Sequence, residues 1–451
     1  MGSRDVTVSK AAVSRPPIWV RFWRDRCGVV AVAVAVLFPV LIGFAGIGVE
    51  IGLWFAIQRQ NQSAADAAAI SAALEYAAQI ESGVATNPTG AAATSAGYNL
   101  FSNANCSTSG TTNCTLYPCY GYTNGTSCNT SSSNGALDAV QVALTQPLNT
   151  AFANFVTAVW GPSVSTVTIT TTAIAAFPVA GTACYLALDT AAANAFLVDS
   201  GGTLPNLNCW AASNSSSGSA LNCNGCTIAG PTNVVGGDAV SNGGQLNGSP
   251  NRTYASAIAD PYGSVSFPPP GTGCKPIPAG TTSITQDHYC GINLGPGATL
   301  NMGPGLYYID NMFNIQSGAT LSAPGGVTII INDPPYCIGD TTCLPGHGIG
   351  GTLNVTAQSN GPLAGIAIFG PRGSSPAIIQ EFVAGSKSNI RGAIYFPSQT
   401  ILFDPDSQLS PSLCTQIIGD QVHIQNVANV SNNCVGIGVA SVSILEVYLA
   451  L

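Results

Sequence analysis

The sequence predicts an α+β protein with a long N-terminal transmembrane helix, a small α/β unit and a mainly β C-terminal domain. Three observations lead to this prediction. Residues 28–49 form a run of 22 residues without a charged or strongly polar side chain. Residues 164–177 are rich in β-branched residues and alternate as a strand does. From about residue 200 onward, short apolar segments are separated by Gly, Asn, Ser and Pro, and one segment recurs after 21 residues.

Charge is scarce and unevenly placed. Only 7% of the 451 residues are charged, against about 25% in ordinary soluble domains. Six of the twelve Lys and Arg residues precede the apolar run, whereas the residues after Arg59 hold 5 Lys and Arg against 17 Asp and Glu, a net charge of −12. A basic N-terminal flank keeps that side of a membrane cytoplasmic, so we expect the remaining chain to be exported. Its acidity excludes the basic footprint of a nucleic-acid-binding protein.

The apolar run is predicted to be a retained membrane anchor. As a helix it spans about 33 Å, which is enough to cross the hydrocarbon core of a bilayer. The core of a cleaved signal peptide is shorter, roughly 7–15 residues. Small residues such as Ala45 and Gly46 nevertheless leave cleavage open.

The helix is predicted to continue beyond the membrane to about residue 80, with a kink or a break at Pro39. Gly48 and Gly52 form a GxxxG pattern, which allows a second helix to approach closely. Glu50 lies between them in sequence, and an acidic residue at this depth is costly and often functional. The alternative is that Glu50 marks the outer membrane interface. Helix packing is therefore predicted at Gly48, Glu50 and Gly52.

The stretch GVVAVAVAVLFPVLIGFAGIGVEIGLWFAIQRQNQSAADAAAISAA, behind an Arg-rich head, resembles the N-terminal domain of the TadG-like Flp pilus-assembly proteins. The features that carry the resemblance are the apolar run with its Pro, then G-x-G-V-acid-x-G, then Q-x-Q-N-Q-x-A-A-D-A-A-A. That family commonly has Asp at the position of Glu50. The resemblance implies a membrane protein with a pilin-like N-terminal helix that takes part in pilus assembly. The later segments PGLYYI, GVTIII and GAIYFP also resemble regions found behind such N-termini.

Fourteen of the 15 cysteines follow the apolar run, and in an exported chain they predict a set of disulfides. Cys223 and Cys226 form a CxxC, for which a structural disulfide is favoured over a redox or zinc site because no second CxxC or paired His lies nearby. Pairs of cysteines that are close in sequence in the C-terminal domain give the disulfide candidates: Cys274, Cys290, Cys337, Cys343, Cys414 and Cys434.

Residues 82–135 are small and polar and are predicted to be a loop region stapled by disulfides. Asp189 follows a hydrophobic segment, like the first Asp of the metal site in the von Willebrand A domains that several TadG-like proteins carry. Ala191 and Ala193 stand where that site needs Ser, so Asp189 is predicted to cap a turn instead. Between these stretches the sequence predicts the small α/β unit, with a strand at 138–147, a helix at 148–160 and a strand at 164–177.

The clearest internal repeat aligns residues 292–309 with residues 313–330, and both copies contain the letters GATL. A period near 21 residues with several short strands predicts a right-handed parallel β-helix, or solenoid. A β-sandwich with similar turns is the alternative.

Parallel β-helices include enzymes that cleave polysaccharides, and such sites need clustered carboxylates. The candidates are Asp310, Asp333, Asp340, Asp404, Asp406 and Asp420, with Arg372 and Arg391. The Asp-Pro-Asp at 404–406 is typical of a turn, and His288, His347 and His423 are too widely spaced to form a metal motif. We therefore predict no catalytic residue, no cofactor and no metal site.

Together these inferences predict a single-pass protein of the bacterial inner membrane, with a cytoplasmic N-terminus and a non-enzymatic body in the periplasm or outside the cell. The body would be a scaffold or adhesion surface of a Flp pilus or envelope system. Its expected partners are the membrane, pilus-assembly or envelope proteins and extracellular glycans, but not nucleic acid. The alternative is a polysaccharide-active enzyme on the same anchor. The predicted domains are a cytoplasmic segment (1–27), an anchor helix with its stalk (28–80), a stapled loop with the α/β unit (81–182) and a β-solenoid (183–451).

Overall fold

The fold is described from a computed structural model. It describes residues 28–109, 112–123, 126–150, 166–199, 201–204, 209–332, 349–373, 378–382, 385–405, 407–409, 414–425, 434 and 436–450. The chain divides into two compact units. The first comprises residues 1–67, 93–116 and 142–173, and the second comprises residues 68–92, 117–141 and 174–451.

Helix α1 runs without interruption from Gly28 to Ser82. Its 55 residues correspond to a length of about 83 Å. The predicted extension beyond the apolar run is thus confirmed, and the helix is not broken at Pro39. Small side chains explain how its second half packs, since six of its alanines are fully buried, namely Ala64, Ala65, Ala68, Ala69, Ala72 and Ala73.

A second helix, α2, spans Pro88–Tyr98, so the prediction of a loop throughout 82–135 is wrong there. The side chain of Asn87 accepts a hydrogen bond from the backbone N–H of Gly90 at 3.0 Å. Asn87 therefore caps the helix, and Pro88 occupies the first helical position, where its missing N–H costs nothing. The Asn-Pro pair was the available signal, but the small, polar composition around it resembled a loop. A short 3-10 helix follows at Ser132–Asn134.

Four strands follow α2, namely β1 (Cys106–Ser107), β2 (Cys114–Tyr120), β3 (Leu137–Asn149) and β4 (Thr166–Ala176). Strands β3 and β4 confirm the two strands predicted at 138–147 and 164–177. The prediction of a helix at 148–160 is wrong at its first two residues, because residues 148 and 149 belong to β3. Residues 151–160 lie outside the described residues.

The rest of the second unit is built from short strands. In chain order they are β5 (Val179–Ala187), β6 (Phe196–Val198), β7 (Thr203–Leu204), β8 (Trp210–Ser213), β9 (Leu221–Asn224), β10 (Thr227–Ile228), β11 (Thr232–Val234), β12 (Asp238–Ser241), β13 (Gln245–Leu246), β14 (Asn251–Arg252), β15 (Ser283–Ile284), β16 (His288–Tyr289), β17 (Ile292–Leu294), β18 (Thr299–Met302), β19 (Gly305–Asp310), β20 (Phe313–Ile315), β21 (Thr320–Ala323), β22 (Val327–Asn332), β23 (Thr352–Thr356), β24 (Ile366–Phe369), β25 (Ile379–Phe382), β26 (Lys387–Phe403), β27 (Gln408–Leu409), β28 (Thr415–Ile424), β29 (Ser443–Leu445) and β30 (Tyr448–Ala450).

These strands form three long parallel ladders. The first has the order β16-β19-β22-β24-β26-β28-β5-β8-β11-β14. The second has the order β15-β18-β21-β23-β26-β27. The third has the order β25-β26-β28-β6-β9-β12. Parallel pairing is unlike the antiparallel pairing of β-sandwiches. Antiparallel pairing occurs at the end of the chain, where β29 pairs with β5 and β30 pairs with β4.

The predicted 21-residue repeat is confirmed by the register of the strands. Thr299 pairs with Thr320, and Ile292 pairs with Phe313, each exactly one repeat apart in sequence. Leucines at the same place in successive strands are fully buried, as Leu300 and Leu321 show. The repeat therefore arises because each strand buries the same alternate residues as the strand beside it.

The order of strands in the first ladder does not follow the order of the chain. The chain enters in the middle, at β5, and proceeds to one end of the ladder at β14. It then resumes at the opposite end, at β16, and returns through β28 to pair with β5. Residues 253–287 consequently have to connect the two ends.

Part of this connection, residues 254–271, lies along the outer face of the first ladder; we call it the strap. Asn214 Nδ2 donates to the carbonyl of Ile258 at 2.7 Å, near one end. Phe267 stacks on Phe369 with a centroid distance of 3.5 Å. The buried residues of this second, outer core include Leu186, Trp210, Ile258, Tyr262, Tyr308, Ile330, Phe369, Tyr395, Ile418 and Ile444.

The predicted presence of disulfides is confirmed. Among the described residues six pairs are bonded, namely Cys106–Cys114, Cys119–Cys128, Cys184–Cys209, Cys223–Cys226, Cys274–Cys290 and Cys414–Cys434. The CxxC cysteines thus bond to each other and are buried. Cys337 and Cys343 lie outside the described residues.

Candidate functional site

The apolar half of α1 is exposed in this chain. From Ala31 to Val49 no side chain is buried, and Phe44 and Val49 expose 71% and 75% of their surface. The helix segment from Ala31 has a mean hydropathy of 2.5 in its most apolar window and is long enough to cross a membrane. Such a surface needs either lipid or another apolar helix around it.

The glycines on α1 leave space that this chain does not fill. A Cβ atom added at Gly43, Gly48 or Gly52 would meet no heavy atom within 4 Å. Gly48 and Gly52 are four residues apart and so lie on the same side of the helix. They form an open, flat strip, which we call the glycine seam.

Glu50 lies on the other side of α1. It is two residues from each glycine of the seam, which corresponds to about 200° around the helix. There it borders a groove of about 550 Å³ within the first unit, together with Val49, Trp54 and Leu148. The helix residues that line this groove are Ile42, Ala45, Gly46, Val49, Glu50, Leu53, Trp54 and Ile57.

Spacing of three and four residues could have identified most of this groove from the sequence, because such residues share one helix face. Leu148 and Asn149, which complete it, come from the end of β3 and carried no such signal.

Residues 28–78 match the family model described as putative Flp pilus-assembly TadE/G-like. The chain carries a Tad domain. The match covers the exposed apolar helix, the glycine seam and Glu50, as the sequence resemblance implied. No curated protein and no solved structure matches the chain. The body that follows the Tad domain is therefore interpreted from its own residues.

Outside the Tad domain, the candidate carboxylates that the structure describes do not come together in one place. Asp310 Oδ2 lies 2.6 Å from Nε2 of His288, in the first ladder. Asp404 lies beside Glu381, and its carbonyl accepts a turn hydrogen bond from Ser407 N–H at 3.1 Å. The other described candidates, Asp420, Arg372 and Arg391, have different neighbours. Asp333, Asp340 and Asp406 lie outside the described residues, as does His347.

Glu381 and Asp404 form a carboxyl pair. Burial, together with the hydrogen bond and negative charge of Asp404, raises the pKa of Glu381 to about 7. The Glu381 carboxyl is therefore partly protonated at neutral pH. Within the part of the chain that the structure describes, no group of three or more His, Cys, Asp or Glu side chains could hold a metal ion.

Asp189 caps a turn, as predicted. Its Oδ1 accepts hydrogen bonds from the backbone N–H groups of Ala191 and Ala192 at 2.8 and 2.7 Å. Its backbone N–H donates to the carbonyl of Asp420, and Oδ2 of Asp420 is buried without a hydrogen-bond partner among the described residues. Burial and the nearby charge of Asp189 raise the pKa of Asp420 to about 6. Asp189 follows the end of β5 and Asp420 lies within β28, the two strands at which the first and last parts of the ladder meet.

Proposed function

We propose that the chain is a membrane-anchored structural or assembly protein of a Flp (Tad-type) pilus or a related envelope system. The observation that carries this proposal is the Tad domain at residues 28–78, whose apolar helix is exposed and whose glycine seam is open. In this proposal α1 crosses the bacterial inner membrane once. Six Lys and Arg residues precede it, which favours a cytoplasmic N-terminus and an exported body.

The proposal gives the body the shape of a right-handed parallel β-helix. All three parallel ladders include β26, and the first and third also share β28, as the faces of a coiled chain would. Connections between parallel strands are nearly always right-handed, which supports the same hand here. The disulfides fit an exported body, because they persist in oxidising compartments. Such a body would serve as a scaffold or as a contact surface for pilus proteins and glycans, without catalysis.

Within the membrane, the seam and the groove are proposed to hold other apolar helices. Gly48 and Gly52 would allow one helix to approach closely. The groove beside Glu50 would hold a second, because it faces away from the seam.

The test is to delete the chain in its own cell and to measure assembled pilin on the cell surface. We expect pili to be lost or shortened, and restored by the wild-type chain. Digestion of intact spheroplasts by an external protease should remove the body but not residues 1–27. Normal piliation without the chain, or a protected body, would contradict the proposal.

The Glu381–Asp404 pair supports a second candidate, a polysaccharide-active enzyme on the same anchor. A carboxyl whose pKa is raised toward neutrality can act as a general acid, which is a role that glycosidases require. The assay is the release of reducing ends from acidic and neutral polysaccharides. If this candidate is correct, the wild-type chain releases reducing ends, the Glu381→Gln variant does not, and the control variant Asp310→Asn remains active.

A further inference from the structure

The outer face of the second ladder is a regular polar surface. In each strand of this ladder every second residue points inward and is buried, as Leu321 and Leu353 are, and the residues that alternate with them point outward. Two columns result, and we call them together the polar face. The first column is Thr299, Thr320, Thr352 and Lys387, and the second is Ser283, Asn301, Ser322, Asn354 and Asn389. Hydroxyl and amide groups fill both columns apart from Lys387, and no acidic or large apolar side chain interrupts them.

The cations on this face differ from the other cations of the body. Five Lys and Arg residues follow Arg59. Three of them pair with carboxylates, namely Arg252 with Glu446, Lys275 with Asp287 and Arg372 with Asp260. Lys387 and Arg391 form no ion pair with any described residue. They are four residues apart on β26, so both point to the outer side of the second ladder.

Arg391 indicates what kind of ligand this face would bind. Its side chain is partly buried, and its Nε has no hydrogen-bond partner among the described residues. Its neighbour in the ladder is Thr356, which is uncharged. A buried donor without a partner costs free energy, and more so when it is charged. An anion bound at Arg391 and Lys387 would remove this cost through charge-assisted hydrogen bonds.

We propose that the polar face binds an acidic polysaccharide, a ligand class that rests on the proposed envelope function. A carboxylate or sulfate of the sugar is held by Lys387 and Arg391. Hydroxyls of the following sugars exchange hydrogen bonds with the Thr, Ser and Asn columns. The five strands that carry the columns are about 4.8 Å apart, so the face extends for ~19 Å, which suits several successive sugars.

Other ligand classes fit this face less well. A protein partner would need aromatic or aliphatic anchor residues, and the columns contain none. A nucleic acid would need many cations, whereas the chain after Arg59 has a net charge of −12.

The test uses the full chain in detergent, with polygalacturonate as the acidic probe and dextran as the neutral one. We expect binding of polygalacturonate that weakens with salt, and no measurable binding of dextran. Lys387→Gln should raise the Kd about tenfold, and Lys387→Gln with Arg391→Gln about a hundredfold, since each removes a hydrogen bond to a charged group. Lys275→Gln is the matched control, because it removes one positive charge from the body but leaves the polar face intact.

An unchanged melting curve must show that the double variant folds. The inference is overturned if wild type does not bind polygalacturonate, if Lys275→Gln weakens binding as much as Lys387→Gln, or if anionic lipid vesicles bind and polygalacturonate does not. If binding fails while piliation still requires the chain, only this inference falls. If the chain binds polygalacturonate but piliation does not require it, the proposed pilus function falls instead.

Discussion

The strap is predicted to depend on one buried hydroxyl. The side chain of Tyr395 is fully buried under the strap. Its hydroxyl donates to Asp260 Oδ2 at 2.6 Å and accepts a hydrogen bond from Arg372. Burial and the charge of Asp260 raise the pKa of Tyr395, so the phenol stays neutral and remains a donor. Tyr395→Phe keeps the ring and removes only these two hydrogen bonds.

The expected cost follows from the contacts that remain. Asp260 keeps a hydrogen bond from the backbone N–H of Tyr262 at 3.0 Å, and Arg372 keeps its bond to the carbonyl of Val265 at 2.8 Å. A hydrogen bond to a charged group contributes about 1.5–3 kcal/mol. Because both ions keep other partners, we expect a loss of about 2 kcal/mol, limited to the strap.

The measurement is native-state hydrogen exchange of the strap amides. A loss of ~2 kcal/mol corresponds to about thirtyfold less protection. The matched control is Tyr307→Phe, because Tyr307 is equally buried but its hydroxyl bonds only to neutral carbonyls, those of Gly303 and Ile284. If Tyr395→Phe leaves strap exchange unchanged, or if Tyr307→Phe opens the strap as much, Tyr395 does not hold the strap as argued.

Further predictions concern the glycine seam of α1, the carboxyl of Asp420 and the disulfide Cys274–Cys290. Gly48→Ile should weaken crosslinking of α1 to neighbouring helices. Gly43→Ile is the control and should not weaken it, because Gly43 is equally free of contacts but lies about 140° away around the helix. Equal losses in the two variants would contradict a packing role for the glycine seam. Asp420→Asn should raise the melting temperature above pH 6 but not below pH 4. The reason is that folding raises the pKa of Asp420 from 3.8 to about 6, so ionisation of this carboxyl destabilises the folded state. The same difference in melting temperature at all pH values would contradict this. Replacing Cys274 and Cys290 by Ser removes a disulfide between residues 16 positions apart, and it should lower the free energy of unfolding, measured in urea, by about 2–4 kcal/mol. An unchanged free energy of unfolding would mean that this disulfide does not stabilise the fold.

The sequence predicted the helix and the repeat because both depend on local patterns. An unbroken apolar run forms a helix wherever it lies, and a strand that buries alternate residues shows it in the sequence. The order of the ladder could not be predicted in this way. Strand β28 pairs with β5 because both bury side chains in the same core, although the paired residues Ile417 and Tyr185 are more than 200 residues apart in sequence. The strap was missed for the same reason, since Asp260 meets Tyr395 135 residues later.

The position of Glu50 determines how many helices can pack against this part of the Tad helix. Sequence proximity suggested one packing site that contains Gly48, Glu50 and Gly52. Because Glu50 lies about 200° from both glycines, a single straight helix cannot contact all three residues. In the proposed assembly the glycine seam and the groove at Glu50 would therefore contact two different neighbours, and defects there should be independent. Glu50→Ala and Gly48→Ile should each reduce crosslinking to a different partner, and their effects on piliation should multiply. A double variant no worse than either single one would mean that both residues serve one contact.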